Sequence, residues 1–352
     1  MDHTEVAIAG AGIIGLSAAL ELAAAGRRVT VFERGVAMRE SSWAAAGMLA
    51  ANDPENPEPL RRLSRFSIGL YPEFLRRVEQ LSGKSVPVRT ALTLQGADEL
   101  PPGIRVADDE TIQTTAPHLQ PKGLKFFLLE EQSIDPRDLA RALPDAAKAA
   151  GVALHEEAAV TAVEGEPGQV RIQTEQGDWT AGHFINACGA WASELADIPI
   201  APRKGQMLLV DSPEPLGGTL RTPHLYLVPR GDGRIVIGAT VEHAGYDKVV
   251  DPAAIAALHA AAAELWPAVR SARVLDAWAG LRPATSDALP VIGPAGEDRC
   301  WLALGHFRNG IMLAPGTARL LRQLICGETP GIEPEPFSAA RFSHDKAYSA
   351  AI

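Results

Sequence analysis

The chain has 352 residues and a formal net charge of −10, and hydrophobic residues make up 46% of it. This length and composition predict a globular protein of two or three domains with a well-buried core. The acidic balance and the lack of a long basic run argue against a nucleic-acid partner, and no apolar stretch reaches the ~18 residues of a membrane-spanning helix.

A glycine-rich turn follows the first predicted strand, which covers residues 6–9. Its sequence is Gly10-Ala11-Gly12-Ile13-Ile14-Gly15. Gly10 permits a tight turn, Gly12 lets the backbone approach a pyrophosphate, and Gly15 allows the next helix to pack closely. The N-terminus of that helix offers unpaired N–H groups and a positive dipole end to phosphates. The motif therefore predicts a phosphate-binding turn.

The residues after this turn complete a nucleotide-binding unit. Apolar residues at helical spacing predict a helix that ends at Gly26, and a second strand covers residues 28–32. Glu33 follows this strand, close to the ~20-residue separation at which an acid accepts a hydrogen bond from a ribose hydroxyl. Together these features favour dinucleotide binding over an ordinary strand-turn-helix unit.

Helices and loops alternate in the next part of the chain. Residues 60–81 read as a helix whose arginines form a solvated face, and the polar, turn-rich stretch 101–123 reads as a surface excursion. Asp135 is placed to cap a helix with Pro136 at its first position, and that helix ends at Gly151.

Short strands and then longer strands follow. The short strands are predicted at residues 152–155, 170–174 and 184–187, and the last of them breaks into a turn at Cys188. The longer strands are predicted at residues 206–210, 225–229 and 234–240. Because the turn 231–233 joins the last two as a hairpin, this region indicates an antiparallel sheet and a second domain inserted into the first.

The C-terminal part begins with an amphipathic helix over residues 253–265. It continues with a strand at 300–304, a glycine-bounded loop at 305–310 and a helix from Ile311 to Cys326. A loop that presents backbone N–H groups at a helix start is a second anion cradle. Two cradles at opposite ends of the sequence suit an extended cofactor better than a nicotinamide dinucleotide alone.

The three cysteines, Cys188, Cys300 and Cys326, are odd in number and lack the spacing of a metal site. The acidic first residues pass straight into a strand, which is not typical of a signal peptide. We therefore expect no metal ion and a cytoplasmic location.

Several runs of residues resemble the FAD-dependent D-amino-acid oxidase superfamily, and within it the glycine oxidases of thiamine biosynthesis. The runs are Glu33-Arg34, residues 41–49, residues 224–230, residues 278–283 and residues 305–311. The last of these, Gly-His-Phe-Arg-Asn-Gly-Ile, is far more selective than the N-terminal glycine motif. The resemblance covers residues 5 to about 328.

The resemblance implies an α/β fold in which a Rossmann-like FAD-binding domain is interleaved with a substrate domain made of an antiparallel sheet and helices. The FAD-binding domain is expected at residues 1–85, 136–200 and 276–340, and the substrate domain at residues 86–135 and 201–275. It also implies a homo-oligomer, a tetramer.

By the same resemblance, FAD contacts residues from four parts of the chain beyond the glycine motif. These residues are Glu33, Arg34, Ser41, Ser42, Ala46, Gly47, Met48, Val160, His306, Phe307, Arg308, Asn309, Gly310, Ile311 and Met312. The small residues 44–47 allow backbone to lie against a flat flavin ring. The helix that starts near Ile311 would point its positive end at the ring and stabilise its anionic reduced form.

The resemblance makes Arg282 the carboxylate clamp, because a guanidinium holds both oxygens in a bidentate geometry that lysine cannot reproduce. Tyr226 adds a hydroxyl to the same carboxylate, and Arg308 lies near the substrate. Each also has a structural interpretation: Tyr226 as a core residue, Arg282 as a salt-bridge partner and Arg308 as a support of its loop.

Met48, Ala50 and His224 are expected to set the shape and polarity of the substrate pocket. They leave little room beyond a methyl group, which favours glycine, sarcosine and small D-amino acids. No protein base is needed, because the lone pair of the neutral amine assists hydride transfer from Cα to the flavin.

Oxygen would reoxidise the flavin and give hydrogen peroxide. Related sarcosine oxidases attach FAD to a cysteine after the arginine-bearing strand. Residues 282–290 contain no cysteine, so FAD is expected to be non-covalent. Two alternatives remain: a D-amino-acid dehydrogenase that passes electrons to a quinone, and a non-catalytic protein that keeps FAD for structure or sensing.

Overall fold

A computed structural model of the chain describes residues 2–54, 56–296 and 298–342. The strands are β1 Asp2–Ala9, β2 Val29–Phe32, β3 Met48–Leu49, β4 Val88–Thr90, β5 Thr93–Ala97, β6 Lys125–Leu129, β7 Gln132–Ile134, β8 Ala153–His155, β9 Val160–Glu166, β10 Gln169–Thr174, β11 Gly177–Asn186, β12 Ala201–Asp211, β13 Thr219–Arg221, β14 Tyr226–Pro229, β15 Arg234–Gly238, β16 Arg273–Ala284, β17 Val291–Pro294 and β18 Cys300–Leu304. The α-helices are α1 Ile13–Ala24, α2 Ser41–Ala44, α3 Glu58–Ser82, α4 Asp109–Thr115, α5 Pro136–Ala149, α6 Pro252–Leu265 and α7 Gly310–Ile325.

The first layer is an eight-stranded sheet with the order β17-β18-β11-β1-β2-β8, to which β10 and β9 add a hairpin-like extension beside β11. β1 lies in its centre and pairs in parallel with both β11 and β2. Helices α1, α3, α5 and α7 bury their apolar faces in one core with this sheet. The carboxyl end of β1 therefore delivers the glycine turn to the edge where nucleotides bind in such sheets.

The second layer is a seven-stranded sheet with the order β16-β12-β15-β14-β13-β5-β6. Side chains alternate between its two faces. Leu208 and Ile237 pack into the core that contains helix α6, whereas Met207 and Val236 pack against the segment that contains α2. A third, three-stranded sheet has the order β3-β7-β4.

The predicted elements with strong local signals are confirmed. Gly26 has φ +78° just after α1, Asp135 caps α5 by accepting from the Arg137 N–H at 2.9 Å, and β18 matches its predicted bounds. The predicted hairpin is the β14–β15 pair, which is antiparallel.

Other elements differ from the sequence prediction. The stretch predicted as a surface excursion contains α4, which Asp108 caps by accepting from the Thr111 N–H at 2.8 Å. β9 was not predicted, because its side chains are mostly half-buried or exposed and show no apolar alternation. β16 is twelve residues long, and the expected domain boundary between residues 275 and 276 falls inside it.

Within the described ranges, no helix combines the length and apolar character needed to cross a membrane. The same residues include no group of three or more His, Cys, Asp or Glu side chains arranged to hold a metal ion.

Candidate active site

A large cleft opens between the two main sheets. Its walls are the N-terminal end of α1, the segment 41–50, the inner face of the seven-stranded sheet and the loop 305–311. Most of the predicted site residues line this cleft. They are Gly12, Ile13, Ile14, Ser41, Ser42, Ala46, Gly47, Met48, Ala50, His224, Tyr226, Arg282, His306, Phe307, Arg308, Asn309, Gly310 and Ile311.

The glycine motif has the geometry that its sequence predicts. Gly10 has φ +100°, and a Cβ there would lie 2.5 Å from the carbonyl oxygen of Ala187. A Cβ on Gly15 would lie 1.9 Å from the Gly10 carbonyl oxygen, so helix α1 packs directly on the turn. At Gly12, within the part of the chain that the structure describes, a Cβ would meet only the Ser42 Oγ, at 3.3 Å. The backbone at Gly12 is therefore open to a ligand in the cleft.

Glu33 lies behind this turn and is 9% exposed. Its carboxylate accepts hydrogen bonds from the Ala11 N–H at 2.8 Å and the Gly35 N–H at 3.0 Å. A carboxylate oxygen can accept more than one hydrogen bond, so these bonds fix the carboxylate and leave acceptor capacity for a ribose hydroxyl. Burial, with the Glu33 charge as a second cause, raises the pKa of the nearby Cys188 thiol to about 12, which keeps that thiol protonated.

Six predicted FAD contacts do not line the cleft. Gly10, Gly15 and Glu33 lie at or behind the glycine turn, and the other three lie elsewhere. Arg34 is exposed, and its guanidinium lies 3.4 Å above the centre of the Trp191 ring. Val160 is half-buried at the start of β9 and packs in the cluster that contains Phe32. Met312 is buried in α7 and directly follows Ile311, the last residue of this segment that lines the cleft.

The small-residue segment 44–47 is held from behind by three donors. The Trp278 Nε1 donates to the Ala44 carbonyl oxygen at 3.1 Å, and the Arg230 Nη1 donates to the Ala46 carbonyl oxygen at 2.9 Å. The Ile134 N–H donates to the Gly47 carbonyl oxygen at 3.0 Å. Gly47 has φ +84°, and a Cβ there would lie 2.1 Å from the Ile134 carbonyl oxygen. The segment is therefore pressed flat against β7 and presents backbone to the cleft.

The loop 305–310 is attached to the end of β16. The Phe307 N–H donates to the Pro283 carbonyl oxygen at 2.8 Å, and His306 forms an isolated bridge with Ala284. The His306 Nε2 lies 3.0 Å from the Thr317 Oγ1, and burial lowers the pKa of His306 to about 3, so the imidazole is neutral. This attachment brings the loop that carries Arg308 to the strand that carries Arg282.

Arg282 extends from β16 over Gly205 on the neighbouring strand β12. Its Nη1 donates to the Thr240 carbonyl oxygen at 3.0 Å and lies 3.5 Å from the Lys204 carbonyl oxygen. Among the residues that the structure describes, no carboxylate forms an ion pair with it. The guanidinium therefore keeps its charge for a ligand, and the salt-bridge interpretation of Arg282 has no partner in the described residues.

Tyr226 lies close to both arginines of the site. Its hydroxyl donates to the Met207 Sδ at 3.2 Å. Burial raises the pKa of Tyr226, and the charges of Arg282, Arg230 and Arg308 act in the opposite direction. The end of the cleft beside Tyr226 is thus a region of positive potential that suits a carboxylate.

The remaining pocket residues differ in exposure. Met48 is half-buried, Ala50 is buried, and His224 is exposed on the loop before β14.

The sequence interpretation missed a polar cluster in the wall of the cleft beside Tyr226. Arg221 is the cross-strand partner of both Tyr226 and Gln95, and it hydrogen-bonds to Gln95. Its Nη2 lies 3.1 Å from the Glu131 carboxylate, and its Nη1 lies 3.7 Å from the Asp53 carboxylate. An arginine in a three-residue strand beside the tyrosine motif was the available signal, but its partners are distant in sequence.

The sequence and the fold match known proteins over most of the chain. The family model described as FAD dependent oxidoreductase (DAO) matches residues 5–324. A glycine oxidase of Pseudomonas aeruginosa is 34% identical, with 95% of this chain aligned to 98% of that protein. The bifunctional protein ThiO/ThiG of Synechocystis sp. is 37% identical over 96% of this chain, and the chain spans 54% of that relative's length. The crystal structure of glycine oxidase from Geobacillus kaustophilus superposes with a TM-score of 0.89 at 28% identity, covering 97% of this chain and 99% of that one.

Proposed function

The chain belongs to the family of FAD dependent oxidoreductases, and from that premise we propose that it oxidises glycine and other small amines such as sarcosine and small D-amino acids. The products are the 2-oxo acid, ammonia or an amine, and hydrogen peroxide. The observation that carries this proposal is that Arg282, Tyr226 and Arg308 all line one cleft, whose other walls suit a flavin nucleotide.

The residues of the cleft fit FAD. Gly12 leaves the backbone open, and within the described residues the N-cap residues of α1 and α7, Gly12 and Asn309, make no side-chain cap hydrogen bond. The Ile13 N–H donates to the Ser42 Oγ at 3.0 Å, and the helix N-termini would attract the negative groups of the nucleotide. The flat segment 44–47 would lie against the ring. Glu33 would accept from a ribose hydroxyl, while Arg34 and Val160 are proposed contacts at the rim beyond the cleft walls.

On the substrate side, the Arg282 guanidinium would hold the carboxylate in a bidentate pair, and the Tyr226 hydroxyl would exchange its weak bond to the Met207 sulfur for a stronger bond to a carboxylate oxygen. Arg308 adds charge at the same end. These contacts fix the orientation of Cα, which supplies the main catalytic effect. When bound, FAD accepts the hydride from Cα. The resulting imine is hydrolysed in water.

No titratable side chain in the described cleft is required as a base. His306 is neutral and is committed to Thr317. The substrate must therefore react with its amine deprotonated, because its lone pair supplies the electrons that replace those of the departing hydride.

Oxygen is the proposed electron acceptor, and the alternative, a quinone-linked D-amino-acid dehydrogenase, is less supported because relatives over almost the whole chain are glycine oxidases. The likeness to glycine oxidases and to a ThiO/ThiG protein supports a role in thiamine biosynthesis. A cytoplasmic location and a tetrameric assembly are part of the same proposal.

Anaerobic mixing of the purified yellow protein with a panel of amino acids tests the function. Glycine, sarcosine and D-alanine should bleach the flavin, D-phenylalanine should react poorly, and L-amino acids should hardly react. Admission of air should restore the colour with consumption of oxygen. If bulky D-amino acids reduced the flavin faster than glycine, the glycine assignment would be wrong, and if the colour returned only with a quinone, the dehydrogenase would be favoured.

A further inference from the structure

A buried cation lies directly behind the flat segment of the cleft. The side chain of Arg230, at the end of β14, is 4% exposed. Its Nη1 donates to the Ala46 carbonyl oxygen at 2.9 Å and lies 3.4 Å from the Ile134 carbonyl oxygen, while its Nε lies 3.7 Å from the Asp135 carboxylate. Burial lowers the pKa of Arg230 to about 10 and the Asp135 charge opposes that effect, so the guanidinium is charged at neutral pH.

The geometry of the peptide unit links this cation to the cleft. The Ala46 carbonyl and the Gly47 N–H belong to one planar trans peptide, in which the two groups point in opposite directions. Because the carbonyl points back to Arg230, the N–H points toward the cleft, which Gly47 lines. In the described parts of the chain, the Gly47 N–H has no hydrogen-bond acceptor.

The neighbouring peptide repeats the arrangement with a neutral donor. The Trp278 Nε1 holds the Ala44 carbonyl oxygen at 3.1 Å, so the Ala45 N–H points away from Trp278. The two peptides therefore present N–H groups along the same segment, but only the Ala46–Gly47 peptide has a charged group bound to its oxygen.

We propose that Arg230 is a positioning residue for the cofactor: by binding the Ala46 carbonyl, it fixes the Gly47 N–H in the cleft and strengthens it as a hydrogen-bond donor to the flavin ring. A cation on a carbonyl oxygen polarises the whole peptide, and the effect is large where water is excluded. The same donor stabilises negative charge on the reduced ring. This inference relies on the proposed function only in taking a flavin as the ligand of the cleft.

The test measures the flavin rather than turnover. Arg230→Gln keeps a neutral donor and removes the charge, and Arg230→Lys keeps the charge on a single nitrogen. We expect Arg230→Gln to raise the dissociation constant of FAD about tenfold or more and to shift the midpoint potential of the bound flavin to more negative values, with a changed visible spectrum. In Arg230→Lys, the midpoint potential of the bound flavin should lie close to the parental value.

Arg77→Gln is the matched control. Arg77 also donates to a backbone carbonyl, that of Leu20 at 2.8 Å, but outside this cleft. Arg77→Gln should leave the dissociation constant of FAD and the midpoint potential of the bound flavin unchanged.

Parental FAD affinity and potential in Arg230→Gln would overturn the proposal, as would a lower unfolding temperature of the apoprotein with no change in the flavin. Loss of the folded protein in both Arg230 variants would assign Arg230 a purely structural role and would also overturn it. These readouts need no substrate, so a failure of the glycine assignment would be seen separately, in the amino-acid panel.

Discussion

The contact between Arg282 and Gly205 gives the sharpest test of the carboxylate clamp. Gly205 lies on β12 and pairs with Gly280 of β16. A Cβ on Gly205 would lie 2.2 Å from the Nη2, 2.3 Å from the Nη1 and 2.4 Å from the Cζ of Arg282. Ordinary contacts of this kind are at 3.4 Å or more, so Gly205→Ala must displace the guanidinium by about 1 Å.

Because the guanidinium is the end of a flexible side chain, the displacement should cost little stability but should misplace the substrate carboxylate. A misplacement of about 1 Å can lower the rate about a hundredfold, which corresponds to roughly 2.7 kcal/mol of transition-state stabilisation. We therefore expect kcat/KM for glycine to fall by about this factor, with the flavin spectrum and the dissociation constant of FAD unchanged. Stopped-flow reduction of the holoenzyme by glycine measures the loss of reactivity, and FAD titration measures the dissociation constant of FAD.

Two further glycines serve as comparisons. A Cβ on Gly280 would lie 2.5 Å from the Cβ of Ala44, so Gly280→Ala should disturb the cofactor segment and weaken FAD binding instead. Gly69, in helix α3, has nothing within 4 Å of its added Cβ among the described residues, so Gly69→Ala should change neither property. If Gly205→Ala kept the parental kcat/KM, Arg282 would not be the group that holds the carboxylate.

Three other substitutions test separate parts of the site. Arg282→Lys keeps the charge but loses the planar fork, so kcat/KM for glycine should fall steeply with a normal flavin spectrum; an unchanged value would assign the carboxylate to another group. Glu33→Ala removes the acceptor of the Ala11 N–H, so FAD binding should weaken by ~1–3 kcal/mol, and equal affinity would remove Glu33 from the cofactor site. The pKa of His306 is lowered to about 3 in the folded protein. The unfolded chain therefore binds a proton on this residue below about pH 6.5 while the folded chain does not. The contribution of His306 to the free energy of unfolding falls by about 1.4 kcal/mol per pH unit as the pH drops from 6.5 toward 3. Urea unfolding at several pH values should therefore show that the free energy of unfolding decreases less steeply with falling pH in His306→Asn than in the parent.

Sequence patterns predicted those elements whose signals are local. The glycine motif, helix α1 with Gly26 at its end, the Asp135 cap and the strand-loop-helix at 300–325 all depend on residues within one or two turns of each other. Elements that owe their structure to distant partners were missed. β13 has three residues and exists because β5 and β14 pair with its two edges. α4 was missed for another reason: it has a local cap at Asp108, but it is a short polar helix within a turn-rich stretch.

The same distinction applies to the site. The resemblance assigned Arg282, Tyr226 and the segment 44–47 to the site, since each lies in a recognisable run, and the structure shows that all of them line one cleft. Arg230 closes one of those runs, but its function depends on Ala46, 184 residues away in the chain, and on a peptide orientation that no sequence pattern shows. Arg34 stays a predicted cofactor contact; its guanidinium stacks on Trp191 outside the residues that line the cleft.

In the proposed site, one face of one strand would set the position of the substrate relative to the cofactor. Trp278, Gly280 and Arg282 alternate along β16, so their side chains share the face toward the cleft. Trp278 holds the Ala44 carbonyl, Gly280 gives room to Ala44, and Arg282 is the proposed carboxylate clamp. Successive positions on one face are about 6.6–6.8 Å apart in a strand, and β16 is fixed along almost its whole length by pairing with β12. The spacing between the cofactor segment and the clamp therefore depends on strand geometry rather than on loop conformation, so substitutions in loop 305–310 should alter substrate affinity more than the alignment of Cα with the flavin.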